Sequence, residues 1–290
     1  MKKAYLLLII LLAGCIKKET VDKAYGNFEV NEIIISAKAS GELVDYIVNE
    51  GDVLSAGQKV GLIDTTILNI KKQRVFNKTI AMGTKIESAK LNLATLKRQE
   101  SLLKLEKNRI DELILENATT IQTRDKIHTK YDVLVLKIKV ARKEIEYRKQ
   151  ELNSIRNQLD EIKEKLEDAK LINPINGTVL VNYKEKYELV NPGIPLYKIG
   201  NLQKMYLKIY LSSIQLDNIK IGQEVQVLVD KDKKENHKLT GKISWISSKS
   251  EFTPKNIQTK EERVDQAYAV KVLVENDGLV KIGMPGEIRF

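Results

Sequence analysis

Two hydrophobic rhythms divide the chain. Residues 39–66, ASGELVDYIVNEGDVLSAGQKVGLIDTT, carry short apolar runs between turn formers at Gly41, Glu50-Gly51-Asp52 and Ser55-Ala56-Gly57. They read as three strands, with Val44, Ile47, Val53, Val60, Leu62 and Ile63 supplying one buried face. A segment this short, with a single apolar face, cannot close a sheet core by itself. From Thr66 the turn residues vanish for about a hundred residues, and no proline occurs until Pro174. One track of apolar positions runs Ile86, Ala89, Leu93, Leu96, Glu100, Leu103, Lys107, Ile110, Ile114. A second runs Ile127, Tyr131, Leu134, Ile138, Ala141, Ile145, Arg148, Leu152, Ile155, Leu159, Ile162, Leu166, Ala169. Both alternate steps of three and four, and 19 of the 22 positions are apolar or Tyr, which gives each helix the narrow seam of a coiled coil.

Between the tracks, residues 116–123 (ENATTIQT) contain Asn117, Thr119 and Thr120, with Thr120 or Thr123 placed to cap the second helix. The simplest structure is an antiparallel hairpin bent near residue 118, with arms of about fifty residues and hence about 75 Å long. Such an object is a rod rather than a compact core. Pro174 stops the helix, and residues 171–201 repeat the turn-and-strand rhythm of residues 39–66, through Gly177 and Asn191-Pro192-Gly193. The interrupted sheet is therefore expected to close after the hairpin, whose antiparallel arms return the chain to its starting point. Residues 202–290 read as further strands, with period-two alternation clearest in Lys204–Leu211 and Ala269–Val274. A short helix is expected within 212–219, and Trp245 is expected in the core or as a plug at the barrel end.

The N-terminus adds a different signal. Lys2 and Lys3 precede the apolar run AYLLLIILLAG, which is too short to span a bilayer and fits an export signal. The run ends in Leu12-Ala13-Gly14-Cys15, and Cys15 is the only cysteine. This resembles a bacterial lipobox, which implies cleavage before Cys15 and acylation of its thiol, giving a membrane anchor. A single cysteine allows no intramolecular disulfide. Ile16 follows it where one sorting rule for inner-membrane retention would want Asp.

Charge and composition exclude several classes. Net charge is +10, but no basic patch is interleaved with aromatics, and with one Trp and four Phe the chain offers few stacking platforms for nucleic acid. His128 and His237 are the only histidines and neither has a partner at metal spacing. No P-loop, dinucleotide glycine motif or Ser-His-Asp order is present, so no enzyme, cofactor or metal is expected.

GELVDYIVNEGDVLSAGQKVGLID and NPINGTVLVNYKEKYELVNPGIPLYKIG resemble the split halves of the lipoyl-like domain in HlyD-type periplasmic adaptors, or membrane fusion proteins. The end of the chain, SEFTPKNIQTKEERVDQAYAVKVLVENDGLVKIGMPGEIRF, resembles the β-barrel domain of adaptors serving ABC-type exporters. The resemblance implies an elongated α+β fold: signal peptide 1–14, lipidated arm and first strand 15–35, lipoyl-like first half 36–65, helical hairpin 66–170, second half 171–201 and barrel 202–290. RND-pump adaptors carry a further membrane-proximal domain built from both termini. Only residues 16–35 are left for one here, which favours an ABC-type transporter in the inner membrane over a proton-driven RND pump. True lipoyl domains attach their group to a Lys on the hairpin between the halves, whereas here the coiled coil replaces that hairpin and is entered through Ile63-Asp64-Thr65-Thr66, so an acyl-carrier role is not expected. The alternative from a different class is an envelope scaffold lipoprotein with no transport role.

The resemblance also implies a hexamer, a periplasmic location with the lipid favoured in the inner membrane, and a TolC-type outer-membrane channel as partner. In adaptors that dock such channels, an Arg, a Leu four residues on and a Ser seven further occupy the bend. Arg109, Leu113 and Thr120 have that spacing here, with Thr in the Ser position. Cys15→Ala is expected to accumulate as unprocessed precursor, seen as slower electrophoretic migration; normal maturation of the variant would remove the lipobox.

Overall fold

The computed structural model describes residues 23–231, 235–251 and 267–290. The export signal, Cys15 and the 252–266 part of the C-terminal segment lie outside the described residues. Three bodies follow one another. A closed six-stranded barrel has the order β1-β10-β13-β12-β11-β14, and two four-stranded sheets, β2-β9-β7-β4 and β6-β5-β3-β8, form a sandwich. The sandwich strands are β2 (Glu32–Ser36), β3 (Gly41–Tyr46), β4 (Val53–Leu54), β5 (Lys59–Ile63), β6 (Lys170–Ile172), β7 (Gly177–Asn182), β8 (Leu189–Val190) and β9 (Pro195–Gly200). Between β5 and β6 the helices α1 (Thr66–Leu115) and α2 (Ile121–Asp168) form the hairpin.

The two halves of the sandwich are built on one plan, and each holds the other's turns. Gly57 N–H donates to Asn173 O (2.8 Å) and Asn173 N–H to Gln58 O (2.8 Å). The same pair recurs with the halves exchanged, Gly193 N–H to Ala37 O (2.9 Å) and Ala37 N–H to Ile194 O (2.9 Å). Gly51 and Val179 donate to Val179 O and Asp52 O, as Tyr187 and Leu43 donate to Leu43 O and Glu188 O. Gly57 and Gly193 sit at φ +82° and +87°, a left-handed conformation that side chains resist, so both turns need glycine. Leu43, Ile63, Leu196, Tyr197 and Ile199 are fully buried between the sheets. Asn173, the one buried polar or charged residue among the described residues, donates to Ser55 O (2.9 Å) and Ile175 O (2.5 Å) and accepts from Tyr197 Oη (3.1 Å). Burial pushes the Tyr197 phenol up to about 12, so it remains a donor.

The buried face expected for the first half needs correction. Val60 and Ile63 are buried, but Ile47 and Val53 are exposed and Val44 and Leu62 only half-buried. Leu43, Tyr46, Val48 and Leu54 face the core instead. A register shift in the β3–β5 pairing between Leu43 and Asp45 interrupts strict alternation, so both Leu43 and Tyr46 turn inward.

The barrel strands are β1 (Lys23–Glu29), β10 (Lys204–Ser212), β11 (Glu224–Asp230), β12 (Asn236–Glu251), β13 (Ala267–Glu275) and β14 (Pro285–Arg289), with the one-turn helix α3 (Ser213–Leu216) beside them. The expectation of a barrel made from residues 202–290 is incomplete. β1 pairs with both β10 and β14 and closes it, clipped by Lys23 Nζ to Glu287 Oε1 at 3.2 Å. Residues 23–36 thus serve barrel and sandwich in turn. Trp245, expected in the core or plugging the barrel, is 41% exposed. The β12–β13 register shifts between Ile243 and Trp245, so Ile243 points inward and Trp245, opposite Lys271, points out.

Asn173→Ala leaves Tyr197 Oη and two carbonyls without their partner. It is expected to destabilise the sandwich by about 1–3 kcal/mol, read as a lower denaturation midpoint in urea.

Candidate docking site at the hairpin tip

The hairpin seals itself. All 22 seam positions are buried or half-buried, and the seam continues toward the root through Met82, Thr79 and Val75, which the apolar tracks did not include. At the root, Asp64 Oδ1 accepts from Thr66 N (2.8 Å) and Thr66 Oγ1 (2.7 Å), and these hydrogen bonds hold the Asp64 carboxyl below its ordinary range. The carboxylate therefore caps the first turn from one residue ahead of the helix boundary.

At the far end the bend is defined by backbone chemistry. Asn117 has φ +56°. Asn117 N–H donates to Ile114 O (3.1 Å) and Ala118 N–H to Leu113 O (2.8 Å), the paired bonds of a Schellman helix end with Asn at the left-handed position. Thr120, extended at φ −96° and ψ 149°, caps α2: its Oγ1 accepts from Thr123 N (3.2 Å) and lies 2.9 Å from Thr123 Oγ1. Of the two caps open from sequence, Thr120 is the one used.

The three tip residues have different surroundings. Arg109 is exposed and has no ion pair among the described residues. Leu113 is half-buried beside the seam, with its carbonyl engaged in the helix end. Thr120 is exposed, and its hydroxyl has a structural duty as well as any contact it offers. Two features near the tip were not read from sequence. Leu115 and Ile121, outside both apolar tracks, flank the bend as exposed apolar side chains. Across the helices, His128 Nε2–H donates to Asp111 Oδ1 (2.7 Å), and Lys107 Nζ lies 5.6 Å from the Tyr131 ring centroid. The spacing that excluded His128 as a metal ligand could not reveal a partner on the other arm. Among the described residues, no group of three or more His, Cys, Asp or Glu could hold a metal, and no helix is long and apolar enough to cross a membrane.

A long hairpin inserted between the halves of a small sandwich, with a barrel behind it, is the architecture of membrane fusion adaptors. The comparisons agree. Residues 201–259 match the family described as LcnD-like, C-terminal domain. A UPF0194 membrane protein of Yersinia enterocolitica is 28% identical over 302 residues, covering 92% of this chain and 88% of that protein. MacA from Actinobacillus actinomycetemcomitans superposes with a TM-score of 0.55 at 21% identity, over 92% of this chain and 78% of that one. A MacA-MexA chimera carrying the Pseudomonas aeruginosa MexA α-hairpin domain gives 0.52 at 22% identity, over 92% and 79%. The chain has the HlyD-type adaptor fold, and the likeness to the solved structures is one of fold.

Thr120→Ala removes the cap of α2 and is expected to cost about 1 kcal/mol locally. Faster hydrogen exchange confined to the amides around residues 120–124 checks it; unchanged exchange there would show the cap to be idle.

Proposed function

We propose that this chain is a non-catalytic periplasmic adaptor of a tripartite export system, linking an inner-membrane transporter to a TolC-type outer-membrane channel. The observation that carries the reading is a hairpin about 75 Å long that buries its own seam and ends in the exposed side chains of Arg109, Leu115 and Ile121. A generic dimerising coiled coil would need a partner along its seam, whereas a self-sealed rod with a free end is suited to reach. Arg109 offers a planar, multi-donor cation to carbonyls or carboxylates at the channel's helix ends. Leu113 contributes an apolar contact at the bend, and Leu115 and Ile121 extend it. Thr120 presents a hydroxyl while capping α2.

Acylated Cys15 anchors the chain to a membrane, the inner one in this reading, and the barrel sits near the transporter. The resemblance of the C-terminal segment to adaptors of ABC-type exporters favours an ATP-driven partner, and the adaptor acts as a ring, a hexamer by that resemblance. Energy comes from the transporter, so the adaptor needs no catalytic group.

Arg109→Asp and Leu113→Ser are each expected to abolish crosslinking to the outer-membrane channel in cells and to sensitise them to the exported compound, with helicity unchanged by circular dichroism. Persistent crosslinking in both variants would overturn the tip assignment.

A further inference from the structure

Near the tip the two arms are joined by a titratable side chain. His128 Nε2 on α2 lies 2.7 Å from Asp111 Oδ1 on α1. A carboxylate only accepts, so the imidazole donates from Nε2. Its second nitrogen, Nδ1, makes no hydrogen bond among the described residues. The two side chains are 35% and 40% exposed, so water reaches both. One turn toward the root on each arm, Lys107 Nζ stands 5.6 Å from the Tyr131 ring centroid. Among the described residues, the His128–Asp111 bond is the side-chain hydrogen bond between the arms that lies nearest the bend.

The helical repeat places this pair directly behind the exposed apolar side chains of the bend. Leu115 follows Asp111 by one turn on α1, and Ile121 precedes His128 by two turns on α2, so each shares a helix face with one member of the pair. Leu115 is 83% and Ile121 65% exposed. Arg109 stands two residues from Asp111 and hence about 200° around α1 from it. Other charged or titratable groups around His128 are few. On α1, Lys107 is turned to Tyr131. On α2, Arg124, Asp125, Tyr131 and Asp132 lie within about one turn of His128. Arg124 is paired with Asp125 at 3.1 Å, and His128 pairs with Asp111 alone.

We propose that His128 and Asp111 form a clasp, tightened by protonation, that positions Leu115 and Ile121 side by side for docking. Histidine is the side chain whose charge changes between pH 5 and 8. A proton taken from water at Nδ1 converts the neutral donor into an imidazolium. The Nε2–H bond to Asp111 Oδ1 is kept and becomes charge-assisted, the stronger kind. The closed clasp gains from the charged ring and the open one does not. The clasp is therefore tightest on the acid side and weakens as pH rises through the histidine range. His128 and Asp111 are positioning residues, since neither has to touch the channel. The proposal rests on the adaptor reading and adds a proton-dependent control of its tip.

Hydrogen exchange on the full chain in detergent, at about pH 5.5 and pH 8 and corrected for intrinsic rates, reads the clasp without any channel. The wild-type amides around the bend, residues 112–128, are expected to exchange about threefold more slowly at the acid pH. His128→Gln and Asp111→Asn keep a hydrogen-bonding pair without the ion pair, and are expected to lose that difference with helicity unchanged. The exchanged pair Asp111→His/His128→Asp is expected to restore it. The second histidine, His237, lies in β12 of the barrel and leaves the hairpin amides unaffected. Wild-type exchange that ignores pH, or a pH difference that survives in His128→Gln, overturns the clasp. Crosslinking to the outer-membrane channel, in cells held at the two pH values, is expected to be stronger at the acid pH for the wild type and equal at both for His128→Gln. Wild-type crosslinking that ignores pH overturns the positioning of Leu115 and Ile121. Wild-type crosslinking absent at both pH values overturns the adaptor reading instead, and the exchange result still decides the clasp.

Discussion

The reciprocal exchange of backbone hydrogen bonds between the two sandwich halves is the constraint on which the rest of the molecule depends. Gly57 and Asn173, and in mirror fashion Gly193 and Ala37, join segments that lie more than a hundred residues apart. Neither half has enough apolar surface to fold alone; together they bury Leu43, Ile63, Leu196, Tyr197 and Ile199. The donors and acceptors at the edges of each half would be orphaned without the other, so the halves form as one body or not at all. That closure fixes where α1 leaves and where α2 returns, and it gives the hairpin a rigid base.

A long lever is useful only if its base is stiff. Asn173 sits at the join, tying the turn at Ser55 to the strand carrying Tyr197. On the barrel side, β1 and β2 form a continuous run with a short link, so one stretch of chain is a barrel strand and then a sandwich strand. The route from Lys23 to the hairpin tip therefore passes through sheet pairing in two domains before it reaches the helices.

The tip inverts the logic of the root. At the root, the reciprocal hydrogen bonds between the two halves hold the backbone by long-range pairing. At the tip the bend is held locally, by the left-handed Asn117 and the Thr120 cap, with Asp111 and His128 bridging the arms nearby. Local closure leaves Arg109, Leu115 and Ile121 uncommitted, which is what a recognition surface at the end of a rod requires.

The heptad spacing of residues 86–169 by itself determined two long helices, each with a coiled-coil seam to bury, and the Asn and Thr residues at 117–120 carry enough turn and cap chemistry to locate the bend that lets the two seams meet. The glycine and proline punctuation also announced that the sheet is interrupted and resumed. Tertiary structure alone decided three things. Local patterns do not reveal register shifts, so the inward turn of Leu43 and Tyr46 and the outward turn of Trp245 were illegible. Nothing in KAYGNFE says that β1 closes a barrel whose other strands begin about 175 residues later, since strand pairing is a long-range choice made by the edges left open. The cross-arm contact of His128 with Asp111 arises only once the arms are aligned side by side, because spacing along one helix carries no information about what stands opposite on another.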